Sequence, residues 1–413
     1  MSVLALCDCN NFFVSCERLL RPDLVDRPVV VLSANDGCII SRSNEAKRMG
    51  IPMCAPYFKF EHYLRKKGVT VFSGNLHLYR EVSASVMAVL RRFTDAMEVY
   101  SIDEAFLSLN MKSAADPLLY AREMRAAVER MVGIPLSVGI APTKTLAKLA
   151  GERAKKSAEG VFRLTLESAS AALAETEIGH VWGIGWRNVD KLRNRGVCTA
   201  LDYARCDPLW VKKHFTVRGL MTQYELRGYP CFPIANGEIP PKSIQVSHTF
   251  GEPLSALEDL EKPVIEHAFK AGALLRGHGL AARCVAVHLL EGFISREHRF
   301  VSRDASFERY ISSDRELIAQ ALALLKPLVR PGSFYTKAGV TLSDLRDGGG
   351  KQLELFERRE QEHRRRLERL SAATDEINRR LGGRSIYPAA LAVKNQKWKC
   401  KSDLRSSGSA VVA

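Results

Sequence analysis

Two short segments carry the residues best suited to chemistry: Leu4–Phe13, reading L-A-L-C-D-C-N-N-F-F, and Ser101–Phe106, reading S-I-D-E-A-F. Asp8 stands at the end of one apolar run, and Asp103 with Glu104 interrupts another. Carboxylates at the edge of buried strands are costly unless a cation or a hydrogen-bonded partner compensates them. A divalent metal is the economical partner. Two Mg²⁺ ions about 3.5–4 Å apart, held by carboxylates and a backbone carbonyl, lower the pKa of an attacking hydroxyl and stabilise a leaving phosphate oxygen. Asp8, Asp103 and Glu104 supply the acids that such a site needs. Neighbours in a regular strand point to opposite faces, so Asp103 and Glu104 can share a site only at a strand end or a bulge. The residues alone leave another reading open, in which Asp8 caps a helix and the Asp-Glu pair forms a solvated turn.

The elements that must position these acids follow from the pattern around them. Residues 1 to about 165 alternate apolar runs (Val3–Cys7, Pro28–Ser33, Val99–Leu109, Leu136–Ile140) with helical stretches such as Tyr120–Val132, an α/β or α+β pattern. From Glu167 to about Pro230 the period is helical, and V-W-G-I-G-W-R-N at Val181–Asn188 is a helix-hairpin-helix signature. Its backbone amides can take a DNA phosphate at a helix N-terminus, although a helix C-cap followed by a turn fits the same tripeptide. Pro230, Pro233, Pro240 and Pro241 mark a tether. Strand-like stretches at Ile244–Phe250, Arg283–Leu290 and Ala338–Leu342, with helical ones near Val264–Leu275 and Glu316–Leu325, then form a further domain that ends at Gly348–Gly350.

With 413 residues, 46% hydrophobic and 26% charged, the chain has enough apolar side chain for two to four globular domains, and global disorder is excluded. Its net charge of +15 favours a polyanionic partner. No apolar run approaches a membrane span, and no basic leader precedes Val3, so a soluble, cytoplasmic protein without a membrane partner is expected. The ten cysteines contain no C-x-x-C pair, which points to reduced thiols and argues against zinc. Residues 351–413 hold 15 Lys and Arg against 8 Asp and Glu. Within them Leu367, Leu370, Ile377 and Leu381 recur at helical spacing behind Arg364–Arg366, predicting an amphipathic helix that docks on a partner or on the body. The Ser-, Gly- and Ala-rich end is expected to be disordered.

The two acidic segments, together with S-N-E-A-K-R-M-G-I (Ser43–Ile51) and S-V-G-I-A-P-T-K-T-L-A-K-L-A (Ser137–Ala150), resemble the Y-family translesion DNA polymerases, above all the branch supplying the catalytic subunit of the bacterial SOS-mutagenesis polymerase. The resemblance runs from about residue 3 to about residue 360. It implies an α+β multidomain, right-hand polymerase: palm at 1–10 and 75–165, small fingers at 11–74, a helical thumb at 166–232, a linker at 233–241, a little finger at 242–347 and a C-terminal tail at 348–413. It implies that Asp8, Asp103, Glu104 and the carbonyl of Cys9 hold two Mg²⁺ ions. All three acids are intact, unlike in the family's non-catalytic relatives. By the same resemblance Phe13 is the steric gate against ribonucleotides, a position that the residues alone would assign to core packing. Asn44, Lys47 and Lys155 would meet the triphosphate, with the first two standing where many members carry Tyr and Arg, so the point charge of Lys47 lacks the bidentate fork of arginine. Gly37, Cys38 and Ile40 would roof the nascent base pair and leave room for a damaged base. Gly183 and Gly185 of the thumb, and Lys242 and Ser243 entering the little finger, would contact DNA.

Gln352, Leu355 and Phe356 in Q-L-E-L-F resemble the bacterial sliding-clamp peptide, tethered just past the little finger. The tail resembles the branch's partner-binding region, with Trp398 near its end, and implies a UmuD′-like dimer and RecA as partners. Its Lys-Ser-Asp and Ser/Gly/Ala ending departs from that pattern, and a basic arm adding nonspecific DNA affinity is the other reading. The expected function is error-prone, DNA-directed DNA synthesis from dNTPs on primer-template DNA past damaged bases in the SOS response, in the cytoplasm at the nucleoid, without a proofreading exonuclease. A nucleotidyl cyclase would use a similar acidic pair, but the hairpin, the basic domain and the clamp peptide speak against it. A non-catalytic DNA-binding scaffold for repair proteins is the remaining alternative, for which the acids would be dispensable.

Overall fold

The computed structural model describes residues 3–109, 116–235, 237, 240–292, 298–348, 358–382, 385–392 and 396–406. The chain forms two compact units: Met1–Ser33, Gly37–Glu238 and Leu404–Ala413 in the first, and Ala34–Asp36 with Ile239–Asp403 in the second. In the first unit the strands are β1 (Val3–Cys9), β2 (Val29–Leu32), β3 (Ile39–Arg42), β4 (Thr70–Ser73), β5 (Met97–Val99), β6 (Glu104–Leu109), β7 (Leu136–Ala141) and β8 (Val161–Arg163). Its helices are α1 (Phe12–Leu20), α2 (Asn44–Arg48), α3 (Tyr57–Lys66), α4 (Leu76–Leu90), α5 (Pro117–Val132), α6 (Lys144–Ala154), α7 (Leu166–Glu175), α8 (Trp186–Arg193), α9 (Ala200–Arg205) and α10 (Pro208–Leu226).

A five-stranded sheet ordered β5-β6-β1-β7-β8 is the frame of this unit. Strand β1 sits at its centre, antiparallel to both β6 and β7. Its run of apolar residues is continuous because both faces are covered: Ala5 and Cys7 join one core with α4 and α5, and Leu6 joins a second with α6. Helix α6 lies so close to β7 that a Cβ on Gly139 would come within 2.1 Å of the Gly151 nitrogen and 2.6 Å of the Ala147 carbonyl oxygen. The glycine of S-V-G-I-A is what lets the helix approach the sheet. A smaller sheet, β3-β2-β4, carries α2 and α3. Helices α7 to α10 follow, with capping boxes at Thr165 and Thr199 and a buried cluster that includes Leu173, Ile178, Leu192 and Tyr203. The buried carboxylate of Glu225 on α10 accepts from the amides of Thr145, Cys231 and Phe232, which fastens this helical region to the N-terminus of α6. Leu404–Ser406 also belong to the first unit: Leu404 pairs with Ser73, and Arg405 donates to Asn75.

The second unit contains β9 (Ser243–Leu254), α11 (Leu257–Gly277), β10 (Leu280–Glu291), β11 (Arg299–Ile311), α12 (Asp314–Leu325), β12 (Tyr335–Asp347) and α13 (Arg358–Leu381). Its sheet, β11-β10-β12-β9, is antiparallel throughout, and α11 and α12 cover one face. Strand β11 is absent from the sequence reading. It is an edge strand whose side chains are largely exposed, Phe300 by 65%, so its apolar alternation is diluted by Arg, Asp and Glu.

Helix α13 docks on α11 and α12 through polar groups, with Leu367 half-buried and its other leucines exposed. The hydroxyl of Ser371 accepts from the Asp314 amide at 3.0 Å, and Asp375 takes the Arg276 guanidinium at 2.6 and 2.9 Å. Leu370 and Leu381 are 63% and 69% exposed. Trp398 is buried in the core of this unit, with its indole N–H donated to Glu266 at 2.9 Å. The Trp398 carbonyl accepts from His248 Nε2 at 2.8 Å, so His248 Nδ1 must accept from His267 Nε2 at 2.7 Å.

The His267 ring therefore stands neutral in the interior, its pKa lowered from 6.5 to about 3 by burial and then by His248. A depressed histidine lends stability that is full above its unfolded pKa and lost as pH falls through the folded one. Unfolding of the whole chain by urea should show the second unit weakening from near pH 6.5 downward, by at most ~1.4 kcal/mol per pH unit from this residue. His267→Leu should flatten that slope.

Candidate active site

Strand β1 ends at Cys9, and Asn11 adopts a left-handed backbone (φ 49°, ψ 42°) that turns the chain directly into α1. The turn is pinned on both sides: the Asn10 amide donates to the Pro135 carbonyl, Ser15 donates to the Asn10 carbonyl, and Ser137 donates to the Asn10 side chain. Asp8 and Phe13 are thereby brought to the same end of the sheet. On the neighbouring strand Glu104 is the first residue of β6 and lies in register with Asp8, while Asp103 precedes the strand and its carbonyl accepts from the Cys9 amide at 2.8 Å. The strand end is thus what allows the two adjacent acids to serve one region.

Each carboxylate has a protein partner. Lys155 holds Asp8 at 2.8 Å and Glu152 at 2.9 Å, Lys148 holds both oxygens of Glu104 at 2.7 Å, and Ser101 donates to Asp103. Among the described residues no three His, Cys, Asp or Glu side chains already converge as a closed metal cage. The electrostatics nevertheless suit a divalent cation. Asp8 is raised to about 6, chiefly by burial; Lys155 opposes the shift, and Glu104 and Asp103 add to it. In Lys155 burial works to lower the pKa, but Asp8 and Glu152 outweigh it and the group is raised. A buried Asp8 with two further carboxylates beside it, and a lysine held against two of the three acids, is a donor set that a divalent cation would suit.

Phe13 packs parallel to Tyr79, with ring centroids 4.5 Å apart, and Tyr79 donates to the buried Glu17 at 2.6 Å. Asn44 opens α2 and Lys47 lies in its last turn, and both meet the β1–α1 turn through Asn11, whose side-chain amide donates to Asn44 at 3.0 Å and accepts from Lys47 at 2.5 Å. Gly37 and Cys38 lead into β3, which holds Ile40. Gly183 has φ 88°, with Thr222 packed behind it, and Gly185 caps α8, whose first residue, Trp186, is 73% exposed. Lys242 and Ser243 stand at the start of β9 in the second unit. Gln352, Leu355 and Phe356 lie outside the described residues.

Sequence reasoning passed over Asn11, Tyr79 and Lys148. The spacing of Lys144, Lys148 and Lys155, by four and then seven, places all three along one helical face beside the acids. That spacing was the available signal for Lys148.

The first unit thus brings together acids at adjoining ends of antiparallel strands, a ring and two lysines beside them, and carries a glycine hairpin on its helical region. The impB/mucB/samB family matches residues 7–152, its C-terminal domain matches 241–355, and a domain of unknown function, DUF4113, matches 368–409. The chain is 36% identical over 411 residues to Protein UmuC of Salmonella typhimurium, covering 98% of this chain and 97% of that one. It is 36% identical to Protein SamB of Salmonella typhimurium, over 98% of this chain and 96% of that one. To DNA polymerase IV of Moorella thermoacetica it is 29% identical, over 94% and 95%. A Y-family DNA polymerase chimera, Dbh-Dpo4-Dbh, shares the fold with a TM-score of 0.68 at 21% identity, over 83% of this chain and 98% of that one. DinB from Sulfolobus solfataricus does so with a TM-score of 0.53 at 20% identity and the same coverage. The chain belongs to the impB/mucB/samB family, in the UmuC-like branch of the Y-family DNA polymerases.

The αL conformation of Asn11 and its side-chain ties can be separated. Asn11→Gly keeps the backbone accessible and loses only the ties, whereas Asn11→Ala also meets the Cβ clash of that conformation. Urea unfolding should place Asn11→Ala about 1–2 kcal/mol below Asn11→Gly.

Proposed function

We infer that this protein is an error-prone DNA polymerase that copies damaged template in the SOS response, transferring nucleotides from dNTPs to a primer 3′-OH. The observation that carries this reading is the registered pair Asp8 and Glu104, with Asp103 locked to Cys9, in a chain aligned almost end to end with UmuC. On this reading the sheet with α4 to α6 is the palm, the β3-β2-β4 region the fingers, α7 to α10 the thumb and β9 to β12 the little finger, with the linker at 233–241 between the last two and the tail from 348.

Asp8, Asp103, Glu104 and the Cys9 carbonyl would hold divalent metal, Mg²⁺ in a pair. Bound there, the metal supplies a lowered pKa for the attacking hydroxyl and charge neutralisation at the leaving phosphate. The chain's own residues do the rest. Lys155 and Lys47 give ammonium groups to the triphosphate, and Asn44 is held in place by Asn11. Phe13, backed by Tyr79, sets a flat apolar floor under the sugar, where a 2′-OH would be desolvated without a partner. Gly37, Cys38 and Ile40 form the roof, small at Gly37 and Cys38, so shape is policed weakly there and errors and lesions pass. Gly183 and Gly185 present amides to backbone phosphate, and Lys242 and Ser243 extend a sequence-blind grip. That grip loosens steeply with salt. No separate domain for a proofreading exonuclease is assigned, so misinsertions persist.

Gln352, Leu355 and Phe356 are proposed as the tether to the sliding clamp, and the tail as the contact for a UmuD′-like dimer and RecA. Among the described residues no helix is long and apolar enough to cross a membrane, and the proposed location is the cytoplasm at the nucleoid.

Primer extension on abasic-site DNA with Mg²⁺ and dNTPs, with and without a UmuD′-like dimer and RecA filament, tests the reading. Asp103→Asn should cut nucleotide addition by at least ~10²-fold, since loss of a ligand costs more than the 10–100-fold typical of its supporting partners, and should leave primer-template binding nearly unchanged. Extension by the variant at the parental rate would end the metal assignment. DNA binding without extension by either form would favour the scaffold. Phe13→Ala should admit ribonucleotides, and an unchanged preference for dGTP over GTP would remove it from the gate.

A further inference from the structure

The lysine on Glu104 is built in more firmly than the lysine on Asp8. Lys155 is shared between Asp8 and the exposed Glu152, and its side chain is 33% exposed. Lys148 gives both its bonds to one carboxylate, at 2.7 Å to each oxygen, with side-chain exposures of 19% and 14% for the pair. Its ammonium also lies 4.4 Å from the centre of the Tyr100 ring and 5.8 Å from that of Phe106. A lysine stem is rich in rotamers, and an aromatic bracket of this kind is what confines it. The bracket is itself braced. Trp182 donates its indole N–H to the Tyr100 hydroxyl at 3.0 Å, meets the Tyr100 ring edge-on at 5.6 Å and packs against Phe232 at 5.3 Å. One turn before Lys148, Lys144 lies over the other ring, Phe106, and is anchored to Glu98 at 2.6 Å. Trp182 directly precedes Gly183 of the glycine hairpin, so one continuous set of contacts runs from that hairpin through Tyr100 and Lys148 to Glu104.

We propose that Lys148 is a positioning residue for the polymerase reaction: it fixes the carboxylate plane of Glu104 and competes with divalent metal for both its oxygens, while Tyr100 and Trp182 hold it in place. This rests on Glu104 being a metal ligand. Two opposite consequences follow from one contact. Without the ammonium, Glu104 is a partly buried acid with no competing cation, so metal binds it more tightly. Without the same ammonium the carboxylate is free to rotate, so bound metal is held in less productive geometry and turnover falls. A role limited to folding would weaken both properties together. The triphosphate contacts lie elsewhere, on Lys47 and Lys155, so the apparent affinity for dNTP should stay near the parental value.

The test titrates Mn²⁺ into the full chain, reading free Mn²⁺ by electron paramagnetic resonance, and measures kcat and KM for dNTP on primed DNA. Lys148→Met should bind Mn²⁺ about tenfold more tightly, from removal of one adjacent positive charge. Its kcat should fall ~10–100-fold, the range for groups that orient a metal ligand, with KM within about threefold. Lys148→Arg, which keeps the charge and two donors, should return Mn²⁺ affinity to the parental level and recover most of kcat. Tyr100→Leu, at a position already 44% exposed, should shift both quantities in the same directions by less, and it keeps the proposal testable if Lys148→Met does not fold. Unchanged or weaker Mn²⁺ binding in Lys148→Met, or a kcat within twofold of the parent, would overturn the proposal. Asp103→Asn separates the two levels of inference: Mn²⁺ binding equal to the parent in that variant would defeat the metal site itself, whereas its loss there alongside an unresponsive Lys148→Met would defeat only the role of Lys148.

Discussion

Negative charge held at the end of a buried strand is the constraint around which the first unit is arranged. Asp8 closes β1, whose preceding residues are covered on both faces, and Glu104 stands opposite it in register with Asp103 one step before. Burial and the mutual repulsion of the acids raise Asp8 to about 6 despite a lysine at 2.8 Å. Such a cluster persists only where rigid neighbours over-determine its geometry, and those neighbours are visible: β7 on one side of β1, β6 on the other, and α6 drawn against the sheet by Gly139. The lysines of α6 reach the acids because that helix sits as close as backbone contact allows.

The same helix links the acids to the region proposed to hold DNA. Its N-terminus is fastened by Glu225 of α10, its first lysine by Glu98, and its second by the ring of Tyr100 and so by Trp182. A displacement of the glycine hairpin would therefore be felt at α6 through packed and hydrogen-bonded contacts, without a flexible connection in between. If Gly183 and Gly185 take backbone phosphate as proposed, that contact is sequence-independent, and its catalytic value would lie in what it rigidifies. For a polymerase that accepts damaged bases, this is a way of demanding order from the backbone while demanding little from the base pair.

The readable part of the sequence was the part where physics imposes residue type. Asp8, Asp103 and Glu104 stood out because acids inside apolar runs require a reason, and Gly183 with Gly185 stood out as a G-x-G between helical segments, although only Gly183, at φ 88°, has a backbone that calls for glycine. The three strand-like stretches and the two helices of the second unit were also legible from their period, and each lies inside the corresponding longer element. What escaped was set by tertiary context. Strand β11 is an exposed edge whose polar face blurs its alternation. Lys148 looks like any lysine on a solvated helix face, and its meaning depends on two rings from distant segments, one of them unremarkable in spacing. Helix α13 was legible as amphipathic, yet it docks through Asp375 on Arg276 and Ser371 on the amide of Asp314, partners that come from distant segments.

That polar docking changes what the C-terminal region can do. An amphipathic helix that buried its leucines on the body would be structural and complete. Helix α13 instead spends Ser371 and Asp375 on attachment and leaves Leu370 and Leu381 largely exposed. Farther on, Trp398 is buried with its indole N–H and its carbonyl both hydrogen-bonded, which anchors the far end of the segment to the same unit. The helix is thus fixed to its unit at a polar seam, with Leu367 half-buried and Leu370 and Leu381 turned to solvent, so the attachment comes from hydrogen-bonded and charged groups and not from burial of the apolar stripe.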